Sequence, residues 1–368
     1  MRIAFFGDAK YVGAHEWIEY LSRQEGFEVH SIVFPGHEHP LPGVITHRLE
    51  GWFPEGKLRY FLCVPALRRA IRRIAPDLLI GYRVVSYGLS AALTGFHPLV
   101  LAAQGMFIAS RATPRLSRAF ARRALASADL LHSWAPIMTE NMLKLGADPG
   151  RIMTLTRGID DHAFSLGTPP SAPLTMTTTR QLEAYYNFPT LLEALALVRR
   201  EIPDVRYRIA GKGSRRGELE SIVRARALEN HVEFLGPVSK DRLPALLRGS
   251  HLYVAAVPSD GTSSSMLEAM ASGAVPIVAD NESNRHWVTD RAGGRLVPAF
   301  DARAYADAIV EAWRDEGWRL AARPSNRRLV ESRASWHKNM ALFVSTYREL
   351  VAGRRAIPVP GRWPPEAP

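Results

Sequence analysis

The segment Ser259-Asp260-Gly261-Thr262-Ser263-Ser264-Ser265-Met266-Leu267-Glu268 carries the chain's clearest chemistry. It follows an apolar run, Leu252–Val257, that reads as a buried strand. Gly261 and the small hydroxyl residues make a loop whose backbone can approach a ligand closely. A helix starting near Ser264 or Ser265 aims its free N–H groups and positive dipole end at that loop, which is the construction of an anion site. Glu268, placed in the first turn, can reach back to ligand hydroxyls. Ser265-Met266-Leu267-Glu268 also spells a capping box, in which the glutamate only caps its own helix. A second candidate is Arg180, just beyond the run Leu174–Thr179. A planar guanidinium there can hold phosphate oxygens through two hydrogen bonds.

Other patterns carry less. Gly211-Lys212-Gly213 follows the run Val205–Ala210, but Arg216 stands where a dinucleotide fingerprint needs its third glycine. Gly51-Trp52-Phe53-Pro54-Glu55-Gly56-Lys57-Leu58 lacks the Ser or Thr of a P-loop, and Pro54 removes a cradle N–H. No Asp-x-Asp occurs, so a metal-bound diphosphate is not expected. His37-Glu38-His39 lies in a Pro-flanked loop without a third metal ligand and reads as solvent-exposed histidines. No metal site and no nucleic-acid partner are expected, because Trp and Tyr form no stacking stripe with the basic clusters.

Elements that could position these residues alternate along all 368 residues. Strands are expected at Arg2–Phe6, Phe27–Phe34, Asp77–Gly81, Leu99–Ala103, Asp129–His132 and Arg151–Leu155. Helices are expected at His15–Gln24, Leu58–Ile74, Arg115–Ala126 and Ile137–Leu145. Asp160–Pro173, rich in Pro, Gly and Ser, reads as a linker. A second series has strands at Leu174–Thr179, Val205–Ala210, His231–Leu235, Leu252–Val257 and Val275–Val278. Its helices fall at Pro189–Arg200, Gly217–Ala227, Asp241–Arg248, Ser265–Ala271, Ala302–Arg314 and Trp336–Val351. Continuous apolar strands between helices imply an α/β fold with two doubly wound parallel sheets and a cleft at their carboxyl ends. The expected organisation is an N-terminal domain over 1–160 and a C-terminal domain over 161–335. A helix over 336–352 returns to the first domain, and a Pro-rich tail covers 353–368.

The Asp260–Glu268 segment resembles the signature of family 4 retaining glycosyltransferases of the GT-B fold. In that signature an acidic residue and a glutamate are separated by seven residues. It runs on into Glu-Ala-Met-Ala-Ser-Gly and a Val-Pro-Ile-Val strand, here Glu268–Gly273 and Val275–Val278. Asp260 stands where the family usually has Glu. Thr179-Arg180-Gln181-Leu182-Glu183 resembles the phosphate loop, with Tyr186-Asn187 where Lys-Gly is common. Arg157-Gly158-Ile159-Asp160 is similar to the interdomain Asn-Gly-Val-Asp segment, and Ala292–Pro298 to the later Gly-rich strand. Gln104-Gly105-Met106 departs from the Gly-Ser-Asp of many relatives.

The resemblance implies two Rossmann-like domains and a retaining, metal-independent transfer of a sugar from a nucleotide diphosphate sugar to an acceptor hydroxyl, with no cofactor. Its implied setting is polysaccharide or glycolipid synthesis. Arg180 and Asp260 would be catalytic. Glu268 would hold the ribose, and Gly261, Thr262, Ser263, Ser264, Ser265, Gly211 and Gly213 would complete the donor site. Gly7 and Gly13 would form the acceptor and phosphate loop. A nucleotide-sugar epimerase of the same architecture and a non-catalytic nucleotide-sugar binder are the alternatives.

The formal net charge of +11 favours an acidic partner. Arg68, Arg69, Arg72, Arg73, Arg111, Arg115, Arg118, Arg122 and Arg123 gather in the first half, with Arg115, Arg118 and Arg122 on one helical face and Leu116, Phe120 and Leu125 on others. An anionic membrane surface and a lipid-linked or glycan acceptor follow as expectations. A single cysteine, Cys63, and no signal-like or spanning segment point to the cytoplasm, with peripheral attachment to the membrane.

Overall fold

The computed structural model describes residues 1–10, 12–103 and 114–353. Gln104-Gly105-Met106, Arg111 and nearly all of the expected tail therefore lie outside the described residues. Two compact units divide the chain: Met1–Thr156 with the residues from Met340 onward, and Arg157–Asn339.

The first unit runs β1 (Arg2–Phe6), α1 (Val12–Ser22), β2 (Glu28–Val33), β3 (Val44–Arg48), α2 (Arg59–Leu62), α3 (Val64–Ile74) and β4 (Leu78–Tyr82). A π-helical turn, Arg83–Tyr87, then leads into α4 (Gly88–Thr94), β5 (Leu99–Ala103), α5 (Arg115–Ser127), β6 (Leu130–Ser133), α6 (Pro136–Lys144) and β7 (Ile152–Thr154). Its seven parallel strands lie in the order β3-β2-β1-β4-β5-β6-β7. The central strands β4 and β5 are buried at every position, as a sheet covered on both faces requires. The strand order reverses between β1 and β4, and ligands of open α/β sheets bind beyond the carboxyl ends at such a point.

The second unit runs β8 (Thr175–Thr178), α7 (Phe188–Val198), β9 (Arg206–Ala210), α8 (Arg216–Ala225), β10 (Val232–Gly236), α9 (Leu243–Arg248) and β11 (Leu252–Ala255). It continues with α10 (Ser264–Ser272), β12 (Val275–Ala279), α11 (Glu282–Arg285), β13 (Arg295–Val297), α12 (Ala302–Arg314) and α13 (Glu316–Arg333). Six parallel strands take the order β10-β9-β8-β11-β12-β13, with the reversal between β8 and β11.

The last helix, α14 (Trp336–Val351), begins in the second unit and belongs to the first from Met340. There Phe343 meets the His132 ring edge-on at 4.4 Å, and Tyr347 bonds His132 Nε2 at 2.7 Å. Burial alone pulls the His132 imidazole down to about 3.

Several expectations need correction. β3, α4, α11 and α13 were not anticipated. Gly13 lies inside α1 rather than in the loop before it. On α5, Leu116 is 65% exposed while Arg118 is half-buried, so the outward face carries Arg115, Leu116, Arg122 and Arg123.

Candidate functional site

The carboxyl edge of the second sheet brings Arg180 and the Asp260 loop together at the strand-order reversal. β8 ends at Thr178, so Arg180 leaves the sheet two residues later. β11 ends at Ala255, and its loop leads into α10. Arg180 Nη2 donates to Asp260 Oδ2 at 2.6 Å and to Ser263 Oγ at 2.5 Å. Ser263 is the N-cap of α10: its hydroxyl also accepts from Met266 N at 3.2 Å. One hydroxyl thus ties the guanidinium to the positive end of the helix.

That cap settles the role of Glu268 within its helix. With Ser263 at the cap, the third helical residue is Met266, and Glu268 is the fifth. Glu268 stands in the second turn, not the first, and the capping box Ser265–Glu268 does not form. Serine runs mislead here, because any of three adjacent serines satisfies the cap's composition.

The Arg180 side chain is only 14% exposed. Burial works against its charge, but Tyr253 and Asp260 oppose that, and the net effect holds the guanidinium firmly protonated. Its Nε is buried without a hydrogen-bond partner, and its guanidinium carbon lies over the Tyr186 ring, 5.6 Å from the centroid. Asp260 Oδ1 accepts from Gly261 N at 2.8 Å, fixing the loop's turn.

Two glycines let a neighbouring loop close in. A Cβ on Gly211 would overlap the Arg180 carbonyl oxygen, and one on Gly213 would overlap that of Leu182. The gap is filled by backbone bonds, Leu182 N to Lys212 O at 3.0 Å and Arg215 N to Leu182 O at 2.9 Å. Glu183 completes the seam by accepting from Ser214 N at 2.8 Å and Ser214 Oγ at 2.5 Å. Gly211 and Gly213 therefore shape the Arg180 loop from behind.

Sequence reasoning missed three supports. Asn281 Nδ2 donates to Val257 O at 3.0 Å, and Ser283 Oγ donates to Gly261 O, so the start of α11 braces the Asp260 loop. Tyr185 donates its hydroxyl to Ser259 O. The signal for the first two was present as Asn281-x-x-Asn284, an N-cap immediately after an apolar strand. Thr262, Ser264 and Ser265 lie on the same loop and first turn, with Ser264 exposed and the other two half-buried.

In the first unit, Gly7 follows β1, and a Cβ there would come within 2.7 Å of the Phe5 ring and 2.9 Å of Tyr82 Cβ. Asp8, next in sequence, is buried and bonds His37 Nδ1 at 2.8 Å through Oδ2. His37 is thus partly covered and held, where an exposed histidine was expected. Among the described residues, one group places three potential metal-ligand atoms within 4.8 Å of one another: Asp161, His162 and His337. None of the donor-site candidates belongs to it.

Two units of parallel α/β structure, each with a strand-order reversal, are the GT-B architecture, and the second unit sets a guanidinium beside a capped helix N-terminus at its reversal. Residues 164–339 match the family described as glycosyl transferases group 1, and residues 2–134 match glycosyl transferase 4-like. Phosphatidyl-myo-inositol mannosyltransferase of Mycolicibacterium smegmatis is 29% identical over 62% of this chain and 57% of its own length. D-inositol 3-phosphate glycosyltransferase of Xylanimonas cellulosilytica is 26% identical over 84% of this chain and 75% of its own. Matches to the mannosyltransferases span about half the length of those relatives. In fold, the chain is similar to sucrose-phosphate synthase of Thermosynechococcus elongatus (TM-score 0.78, 17% identity, 96% of this chain, 100% of that one). It is also similar to Anabaena HepE in complex with UDP (TM-score 0.77, 16% identity, 95% and 100%). The chain belongs to the family 4 glycosyltransferases of the GT-B fold.

Proposed function

We propose that the chain transfers a sugar from a nucleotide diphosphate sugar to an acceptor hydroxyl with retention of anomeric configuration and without a metal. The observation that carries this is Arg180, held at the N-terminus of α10 by Asp260 and Ser263. The bond from the anomeric carbon to phosphate breaks, and negative charge grows on the departing diphosphate. A buried guanidinium and a fixed helix end stabilise such charge without reorganising when it appears. The acceptor oxygen bonds the anomeric carbon on the same face, and its proton passes to a phosphate oxygen as nucleoside diphosphate leaves. Asp260 orients Arg180 before the donor arrives, and its carboxylate faces the sugar once phosphate takes the guanidinium. Glu268 accepts hydrogen bonds from the ribose hydroxyls. HepE, solved with UDP, supports a nucleotide donor for this fold.

The acceptor is held by the first unit and belongs to a glycolipid or polysaccharide. The names of the mannosyl- and inositol-phosphate glycosyltransferase relatives support that class. No helix among the described residues is long and apolar enough to cross a membrane. Attachment to an anionic cytoplasmic surface is through α5, where exposed Arg115, Arg122 and Arg123 flank exposed Leu116, each cation adding about 1 kcal/mol near such a surface. The test is nucleoside diphosphate release from a panel of nucleotide sugars, with and without polyol or lipid acceptors. Release that depends on both partners and falls in Arg180→Ala is expected. Donor epimerisation without transfer, or no turnover of any donor, would overturn the reading.

A further inference from the structure

Two stretches of chain meet where the second unit begins and ends. That unit spans Arg157–Asn339, so the stretch after Arg157 leads into it and the stretch before Asn339 leads out. Ile159 and Ser335 pair as a parallel bridge. Ile159 N donates to Ala334 O and Trp336 N to Ile159 O, each at 2.8 Å. Arg327 of α13 fastens the incoming stretch by donating to the carbonyls of Asp161 and Phe164. Its own charge is answered by Glu331 at 2.7 Å. The two stretches therefore form one held frame, built from residues distant in the chain.

On this frame stand Asp161, His162 and His337, whose ligand atoms all lie within 4.8 Å of one another. Asp161 is buried and fixed, its Oδ1 accepting from Ser335 Oγ at 2.8 Å. Both histidines are exposed, and their rings stack with centroids 4.4 Å apart. Asp160 adjoins them: its Oδ1 accepts from the His162 and Ala163 amides at 3.1 Å and lies 3.4 Å from His337 Nε2. A carboxylate beside a ligating imidazole is the usual outer partner that orients the ring. A tetrahedral shell at about 2 Å sets its ligand atoms about 3.3 Å apart, so turning the two exposed imidazoles closes this one while Asp161 stays in place. Two imidazoles and a carboxylate suit Zn²⁺ and its transition-metal neighbours, whereas Mg²⁺ and Ca²⁺ take oxygen shells.

We propose that Asp161, His162 and His337 form a binding site for a divalent transition metal of the Zn²⁺ class, which staples the entry of the second unit to its exit. Three protein ligands leave the remaining coordination position to water. Only the folded unit brings the two histidines together, so the metal binds the native state and stabilises it by mass action. The site shares no residue with Arg180 or the Asp260 loop, and it does not depend on the transferase reading.

The test is a calorimetric titration of Zn²⁺, with Mg²⁺ as the control, into the whole chain, untagged and treated with chelator. Saturable binding of one Zn²⁺ and none of Mg²⁺ is expected. His337→Ala and His162→Phe should each weaken Zn²⁺ binding at least tenfold. Phenylalanine keeps a ring against His337 while removing the ligand, so loss of binding there is not a failure to fold. Melting without metal should be unchanged in both variants, because both side chains are exposed. At a Zn²⁺ concentration a hundredfold above Kd, the second unit's Tm should rise by about 5–10 °C, and the rise should vanish in His337→Ala. Co²⁺ in place of Zn²⁺ should give visible absorption bands that either variant abolishes, which reports histidine bonded directly to the metal. Absence of saturable Zn²⁺ binding overturns the proposal. So does undiminished binding when His162→Phe and His337→Ala are combined, since the metal then belongs to other histidines.

Discussion

Replacing Asp260 with asparagine separates the two jobs assigned to this carboxylate. Asparagine keeps an oxygen for Gly261 N, which now sits 2.8 Å from Oδ1, but removes the charge facing Arg180 Nη2 at 2.6 Å. The guanidinium is 14% exposed and its partner 23%, so solvent screens the pair incompletely. Bonds to charged groups contribute about 1.5–3 kcal/mol, and the pair's partial exposure puts the loss near 2 kcal/mol. The second unit, Arg157–Asn339, is of a size for which each 1 kcal/mol moves Tm by about 2–4 °C. Calorimetric melting should therefore show its transition lowered by roughly 4–8 °C. Nucleoside diphosphate should nevertheless bind Asp260→Asn as tightly as the unaltered chain or several-fold more tightly, because phosphate no longer competes with a carboxylate for Arg180. Turnover should fall. A variant that melts unchanged, or that loses nucleotide affinity, refutes the idea that Asp260 restrains Arg180 in the empty site.

Four further outcomes follow from the same geometry. Glu268→Gln should leave stability within about 1 kcal/mol, since the residue is not a cap, while weakening nucleoside diphosphate binding about tenfold by calorimetry. Ser263→Ala removes both the cap and an Arg180 contact, so chemical denaturation should register a loss of about 1–2 kcal/mol together with reduced nucleotide affinity. His132 is neutral in the fold down to about pH 3 but protonates near 6.5 when unfolded, so stability is constant above 6.5 and declines below it, by about 2 kcal/mol at pH 5. Urea melts of the first unit's transition at pH 7 and 5 should show that slope, and His132→Phe should flatten it. Pelleting with anionic but not neutral vesicles, abolished by salt and by replacing Arg115, Arg122 and Arg123 with glutamine, is expected for membrane attachment.

Most of the sheet framework was legible because its strands are apolar throughout and its helices amphipathic. β3 was not, because Val44–Arg48 is an edge strand with a mixed sequence and no buried residue. α13 was hidden by Pro324 within it and by its many arginines. α11 is only four residues long. At the site, the strand-end position of Arg180 and the small-residue helix start after Asp260 were readable, and the resemblance placed both in one donor site, but the direct bond between Arg180 and Asp260 was not foreseen. The seam that shapes it was not, since Gly211 and Gly213 act on carbonyls some 30 residues earlier in the chain. His37 shows the same limit: its bond to Asp8 joins residues 29 apart, a distance that periodicity does not report. The serine run concealed which hydroxyl caps α10, and with it the turn on which Glu268 lies.

Titration calorimetry of UDP, GDP and ADP against the whole chain and against Arg180→Ala tests the central claim most directly. One diphosphate should bind the unaltered chain saturably without added metal, and Arg180→Ala should lose at least tenfold in affinity for it. Failure of all three to bind, or equal binding by Arg180→Ala, would contradict the assignment of the donor site to Arg180 and the N-terminus of α10.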